Sequence, residues 1–308
     1  MRVALFASPA FALKTLEELN NNHELVLVVS QQDKPVGRGM KMRSPVVAER
    51  AKELGLRLEQ PQKLRKNYDF FKIIEDLDID VAITAAYGKI LPQQLLDIPK
   101  HGFLNIHGSL LPKYRGAAPI QWAILNGEHE TGISIMQTEA GLDTGPIRLV
   151  DKLKIEPNDT AISLFNKLAK LGSQSIIKAL DLLAKEQLPL IPQDDSQASH
   201  APMLKKEDGE IRWSETAQAV YDRYRALIAW PKTQTIINNK ILKIHDMQIS
   251  KQSGKAGQII AIDKDGVTVA CGQDAILLKT VQAPSKAKMP AFDWANGYQI
   301  KVGDEFGK

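Results

Sequence analysis

The sequence predicts an α/β protein with a mostly parallel sheet, followed by a small all-β domain. Three observations carry this. Residues 1–150 alternate short β-rich runs with amphipathic helical patterns, residues 187–208 lose periodicity, and residues 233–281 hold short strands between Gly and Asn-Asn turns. Strand–helix alternation implies a parallel sheet with helices on both faces. Closely spaced short strands suggest a small barrel. At 308 residues, 44% hydrophobic and 25% charged, the chain has the composition of a globular protein and the length of two domains.

Taken in order, strands are expected at Arg2–Ala7, His23–Ser30, Val81–Ala85, Gly102–His107 and Thr131–Thr138. Between them Ala10–Asn21, Val46–Leu54 and Tyr68–Leu77 place apolar residues three to four apart, the helical period. Ser44 reads as an N-cap before Pro45 at the first helical position, and Gly55 closes that helix. Pro119 opens another helix that ends at Gly127, and Asp159 caps a long amphipathic one over Thr160–Leu183. Prolines, serines and charges from Gln187 to Asp208 read as a linker laid over the surface. A helix over Ser214–Ala229 then stops at Trp230-Pro231. Strands follow at Thr233–Ile237, Ile241–Ile249, Gly257–Ile262, Gly266–Cys271 and Ile276–Val281. The expected division is therefore a domain over 1–188, a linker over 189–208 and a second domain over 209–308.

Several function classes are excluded early. No apolar run approaches the roughly 18 residues of a membrane span. The opening MRVALFASPAF is expected to be a first strand and its turn, its five-residue apolar run being short for a secretory signal. One cysteine, Cys271, leaves no internal disulfide and no multi-cysteine metal site, so a cytoplasmic location is expected. Cys271 itself reads as a buried small hydrophobe, and Trp213, Trp230 and Trp294 as core anchors. The net charge is +4, and the whole excess lies after residue 200, where 16 basic side chains face 12 acidic ones. That is a weak pointer to nucleic acid. The first turn, FASPAFA, lacks the glycines that let a dinucleotide pyrophosphate approach the backbone. No P-loop, G-x-S-x-G or H-E-x-x-H occurs, and the histidines have no metal-ligand spacing.

The chemistry-bearing region is GFLNIHGSLLPKYRGAAPIQWAILNG, residues 102–127. On a strand Asn105 and His107 project to one face, and Gly108-Ser109 marks the carboxyl end, where open α/β sheets bind ligands. A second segment, ETGISIMQTEAGLDTGPI, sets Asp143 in a loop flanked by glycines. Alone, each has a plain alternative: His107 ending a strand, Asn105 bonding backbone, Asp143 as a turn residue. Together, amide, imidazole and carboxylate suit acyl transfer. The imidazole would be the acid–base group, the amide an oxyanion donor, and the carboxylate would orient and charge the imidazole.

These residues also carry a family resemblance. AAYGKILP (85–92), LNIHGSLLPKYRGAAPIQWAI (104–124) and ETGISIMQTEAGLDTGPI (130–147) resemble the 10-formyltetrahydrofolate-dependent formyltransferases from Arg2 to about Leu183. The resemblance implies a Rossmann-like catalytic domain, formyl transfer from 10-formyltetrahydrofolate without metal, and Asn105, His107 and Asp143 as catalytic residues. It implies folate contacts at Ser109, Leu110, Leu111 and Pro112, and at Tyr87, Gly88, Ile90 and Leu91. One departure stands out: members commonly begin FAGTP-[DE]-FA, whereas FASPAFA is one residue shorter and lacks the glycine.

Which amine is formylated depends on features outside this site. The loop QQDKPVGRGMKMRSP carries Lys34, Arg38, Lys41 and Arg43 against one acid, with Gly37 and Gly39 around Arg38, as a mobile arm for phosphates would. It resembles the tRNA-contacting insertion of members that formylate the α-amine of methionyl initiator tRNA, with Arg38 nearest the acceptor end. The region 209–308, entered through LKKEDGEIRWS, resembles the OB-like barrel of those members. Lys205 and Lys206 are its foremost tRNA contacts, with Arg212, Lys240, Lys243, Lys286 and Lys288 as further phosphate candidates. The implied partner is initiator tRNA, with no membrane and no obligatory protein partner. Two alternatives stay open: a sugar-nucleotide N-formyltransferase, and an RNA-binding barrel without activity.

Overall fold

The structure is a computed structural model that describes residues 1–37 and 39–307, the side chain of Val36 excepted. Arg38 therefore lies outside the described residues. The chain divides into two compact units, one of Met1–Pro119, Glu130–Lys154 and Phe165–Pro202, the other of Ile120–His129, Ile155–Leu164 and Met203–Lys308.

The first unit begins with β1 (Arg2–Ala7), α1 (Leu13–Asn22), β2 (Glu24–Val29), β3 (Lys34–Val36), β4 (Lys41–Arg43), α2 (Val46–Glu53), β5 (Leu58–Glu59) and α3 (Tyr68–Asp76). It continues with β6 (Val81–Ala85), α4 (Gln93–Leu96), β7 (Phe103–His107), β8 (Arg115–Gly116), β9 (Glu130–Gln137), β10 (Ile147–Lys154), most of α6 (Ala161–Ala184) and β11 (His200–Ala201), whereas α5 (Pro119–Leu125) falls almost wholly in the second unit. Its seven-stranded sheet has the order β10-β9-β7-β6-β1-β2-β5. The pairs from β7 to β5 are parallel, whereas β9 on β7 and β10 on β9 are antiparallel. Strands β1 and β6 are almost wholly buried, as unbroken apolar runs in a sheet covered on both faces must be. On one face Phe6 meets Phe70, Tyr87 and Phe103 edge-on, with ring centroids 6.4, 5.6 and 5.1 Å away. Helix α3 supplies Phe70, Phe71 and Ile74 to that core and starts where the Asn67 side chain accepts the Phe70 N–H.

Three expectations need correction. Ser44 does not cap α2, whose cap position is Pro45; the Gln60 amide donates to Asp33 Oδ1 at 2.9 Å, and this bond, aided by the Ser44 hydroxyl, holds the Asp33 carboxyl below its ordinary range. Asp159 is not the cap of α6: the Thr160 hydroxyl accepts the Ser163 N–H, and the Ser163 hydroxyl accepts the Thr160 N–H. The basic loop is a short hairpin, with Lys34 opposite Arg43 and Val36 opposite Lys41.

The second unit contributes α7 (Ala217–Leu227), β12 (Thr233–Ile237), β13 (Lys240–Ser250), β14 (Ile259–Asp263), β15 (Gly266–Ala270), β16 (Ala275–Gln282), β17 (Met289–Pro290) and α8 (Ala291–Gly297). Its antiparallel sheet runs β12-β13-β16-β15-β14, with β17 added to β16. Trp213 stacks on Phe306 at 5.4 Å, and Trp294 on the same ring at 6.2 Å. Those two tryptophans are core anchors, but Trp230 is half exposed. Cys271 is buried, which pushes its thiol up to about 12.

Candidate active site

The site grows from the carboxyl end of β7. Pairing with β6 on one side and β9 on the other fixes the backbone of Asn105 and His107, opposite Met136 and Ser134 on β9. Thr84 on β6 donates its hydroxyl to Asn105 Oδ1 at 2.9 Å. The carbonyl end of the amide is thereby engaged, and its nitrogen has no partner among the described residues. Two N–H donors are held ready at a strand end.

His107 is 5% exposed. Its Nε2 lies 2.9 Å from the Tyr114 carbonyl oxygen, which can only accept, so that nitrogen carries a hydrogen. Nδ1 faces Asp143 Oδ2 at 3.6 Å, beyond a hydrogen bond. Nδ1 is thus the nitrogen able to exchange a proton.

Asp143 occupies the turn between β9 and β10 with φ +54°, a left-handed conformation costing roughly 1–2 kcal/mol for an L residue. Its Oδ2 accepts the Gly116 N–H at 2.9 Å. Gly116 has φ +124°, and a Cβ there would stand 2.7 Å from the Ala201 oxygen. Only glycine lets β8 come this close to β11, which pairs with it in parallel.

The expected folate segments separate into distinct environments. Ser109 is fully buried and donates its hydroxyl to the Lys113 oxygen at 2.6 Å. The Ser134 hydroxyl donates to the Ser109 oxygen and accepts the Leu111 N–H, fixing the 109–112 turn. Leu111 is buried, and Leu110 and Pro112 are half-buried. Tyr87 and Leu91 belong to the core rather than to a surface slot. The Tyr87 hydroxyl is buried without a partner among the described residues, and burial pushes its pKa up. Gly88 has φ +74°, and Ile90 beside it is 89% exposed.

The basic residues lie apart from these in character. Lys41 and Arg43 stand exposed on β4, and Lys34 bonds Gln31. Lys205 and Lys206 are exposed in the second unit.

Four contributors have no sequence signal of their own: Thr84, Tyr114, Arg115 and Gln193. Arg115 is 6% exposed and donates to Gln193 and Asp195, both from the stretch expected to be a plain linker. That stretch is not merely laid over the surface, since β11 and Ser199 bond the 112–118 segment directly.

The fold thus brings the Asn105 amide, the His107 imidazole and the Asp143 carboxylate together at one strand end. The family model described as "Formyl transferase" matches residues 1–180, and "Formyl transferase, C-terminal domain" matches residues 203–299. The chain belongs to the formyl transferase family and is a formyl-transfer enzyme. Among its relatives, the methionyl-tRNA formyltransferase of Deinococcus radiodurans is 50% identical over 305 residues, covering 99% of this chain and 95% of that one. The methionyl-tRNA formyltransferase of Thermus thermophilus is 42% identical over 308 residues, 100% of both chains. The fold is shared with an N-formyltransferase from Helicobacter canadensis, solved with folinic acid and dTDP-3-aminofucose, at a TM-score of 0.69 and 20% identity over 92% of this chain and 99% of that one. It is also shared with HypX from Aquifex aeolicus in complex with tetrahydrofolic acid, at a TM-score of 0.61 and 15% identity over 99% of this chain and 48% of that one. No helix among the described residues is long and apolar enough to cross a membrane.

Proposed function

We propose that the enzyme transfers the formyl group of 10-formyltetrahydrofolate to the α-amine of methionyl initiator tRNA, in the cytoplasm, giving N-formylmethionyl-tRNA for translation initiation. The observation that carries this is the Thr84-oriented amide of Asn105 on the same strand face as the His107–Asp143 pair, in a chain that aligns end to end with tRNA-acting relatives.

The free-base amine attacks the formyl carbon and forms the new C–N bond. The Asn105 N–H donors and the charged imidazole of His107 stabilise the tetrahedral oxyanion. His107, directly or through water, relays a proton from the attacking nitrogen to N10 of the folate, with Asp143 supporting the imidazolium. The C–N10 bond then breaks, releasing tetrahydrofolate. The main chain of Ser109–Pro112 and the exposed Ile90 with Gly88 flank the folate. Lys34, Arg38, Lys41 and Arg43 meet the acceptor end of the tRNA, while residues 209–308 with Lys205 and Lys206 hold its phosphates.

The test is tetrahydrofolate release with methionyl initiator tRNA, glycinamide ribonucleotide and a nucleotide-linked aminosugar in parallel. Release with the tRNA alone, abolished in Asn105→Ala, is expected. Release with a small amine instead would keep the chemistry and overturn the acceptor.

A further inference from the structure

We propose that Gln193 is a positioning residue for formyl transfer: it fixes the Asp143 turn so that the carboxylate stays against His107. The inference rests on Asp143 being the functional partner of that imidazole. The Gln193 amide nitrogen donates to the Asp143 carbonyl at 2.9 Å and to the Gly145 carbonyl at 2.7 Å. Both of its hydrogens are thus spent on the turn that carries the carboxylate. Its Oε1 accepts from Arg115 Nε at 3.1 Å and Nη2 at 2.8 Å. Since a guanidinium only donates and carbonyls only accept, the amide has one workable orientation. Asp195 balances the buried Arg115 through a 2.7 Å ion pair.

The two ends of Asp143 are therefore tied to one dipeptide. Its carbonyl reaches Arg115 through Gln193, and its carboxylate takes the N–H of Gly116 directly. This grip matters because the turn is otherwise poorly anchored: Asp143 is left-handed and its neighbour Leu142 is 70% exposed. Docking of the 193–201 segment does not itself need Gln193. The N–H of Arg115 bonds the Ser199 carbonyl at 2.9 Å, that of Ala118 the Ala201 carbonyl at 3.1 Å, and that of Tyr114 the Ser199 hydroxyl at 2.9 Å. Removing the Gln193 amide should loosen the turn and leave the segment in place.

The experiment is single-turnover and steady-state formylation of methionyl initiator tRNA by Gln193→Ala and Gln193→Glu, each alone and combined with Asp143→Ala. Gln193→Glu keeps a partner for Arg115 but sets oxygen against the two turn carbonyls, so it separates the grip from the docking. Both variants are expected to keep the wild-type melting temperature and both KM values, while kcat falls by about 10- to 100-fold, the scale of a slightly misplaced group. In the Asp143→Ala background neither should cost more than about twofold, because the two residues act through one effect. Wild-type kcat in Gln193→Ala and Gln193→Glu, or equal losses with and without Asp143, would overturn the inference alone. Full activity in Asp143→Ala would overturn it together with the functional reading of the carboxylate.

Discussion

The strand-end cluster and the basic hairpin both present polar side chains, yet they are built in opposite ways. Asn105, His107 and Asp143 each have a partner that sets their orientation: a hydroxyl, a carbonyl and a backbone N–H. Lys41 and Arg43 stand on a hairpin of two three-residue strands, and their side chains have no partner among the described residues. Among the described residues the base of the hairpin is pinned by the Gln60 amide on Asp33 and by the Gln31 amide on the Tyr87 carbonyl. Chemistry at one carbon needs groups held to fractions of an ångström. Neutralising phosphates needs charge within reach, and free side chains retain the entropy that a fixed geometry would remove.

The sharpest way to break this contrast is at the site. His107→Ala should lower kcat by about 10²–10⁴-fold, and Asn105→Ala by about 10²–10³-fold, some 2.7–4 kcal/mol. Circular dichroism should be unchanged in both, and near-wild-type turnover in either would remove it from the reaction. Neutralising Lys41 and Arg43 on the hairpin together with Arg38 should raise KM for tRNA, leave KM for folate alone and reduce the salt slope of tRNA binding by about one per lost phosphate contact. A collapse of folate affinity would instead assign the hairpin to the donor site.

Smaller effects sharpen the comparison. Thr84→Val keeps the shape but frees the Asn105 amide to turn, and about 1 kcal/mol of lost orientation corresponds to a roughly fivefold drop in kcat. A kcat unaltered in this variant would mean that the amide does not depend on Thr84. The smallest change is Tyr87→Phe, which removes a buried hydroxyl that has no partner among the described residues. Stability by urea denaturation should hold or rise by about 1 kcal/mol with KM for folate unchanged. Burial raises the Tyr87 pKa, so the folded state keeps a proton that the unfolded chain loses above pH 10. Wild-type stability should therefore decline from pH 10 upward more steeply than that of Tyr87→Phe.

How much of this was legible in the residues varies with distance along the chain. β1 and β6 coincide with their expected spans because unbroken apolar runs bounded by polar turns leave little choice. Asn105 and His107 were visible as a two-residue alternation before a glycine, and Asp143 as an acid between glycines. The β3–β4 hairpin was hidden, because charge and glycine dominate a span too short for alternation to register. Strand β10 was missed because half-buried residues alternate with exposed ones only weakly against an antiparallel neighbour. Gln193 could not be found at all: it meets Asp143 from 50 positions away, and no periodicity links them. Ser109 was legible as a loop residue, but the destination of its hydroxyl was not.

The pairing of β8 with β11 also sets a schedule for synthesis. Residues 115–116 leave the ribosome long before residues 200–201, and at about 5–20 residues per second the gap lasts several seconds. A nascent chain ending near residue 188 already holds every strand of the seven-stranded sheet and all three of Asn105, His107 and Asp143. It still lacks the segment that bonds Tyr114, Arg115 and Ala118. A fragment cut where the periodic pattern ends would therefore carry Asn105, His107 and Asp143 on a finished sheet and leave β8 without its partner strand.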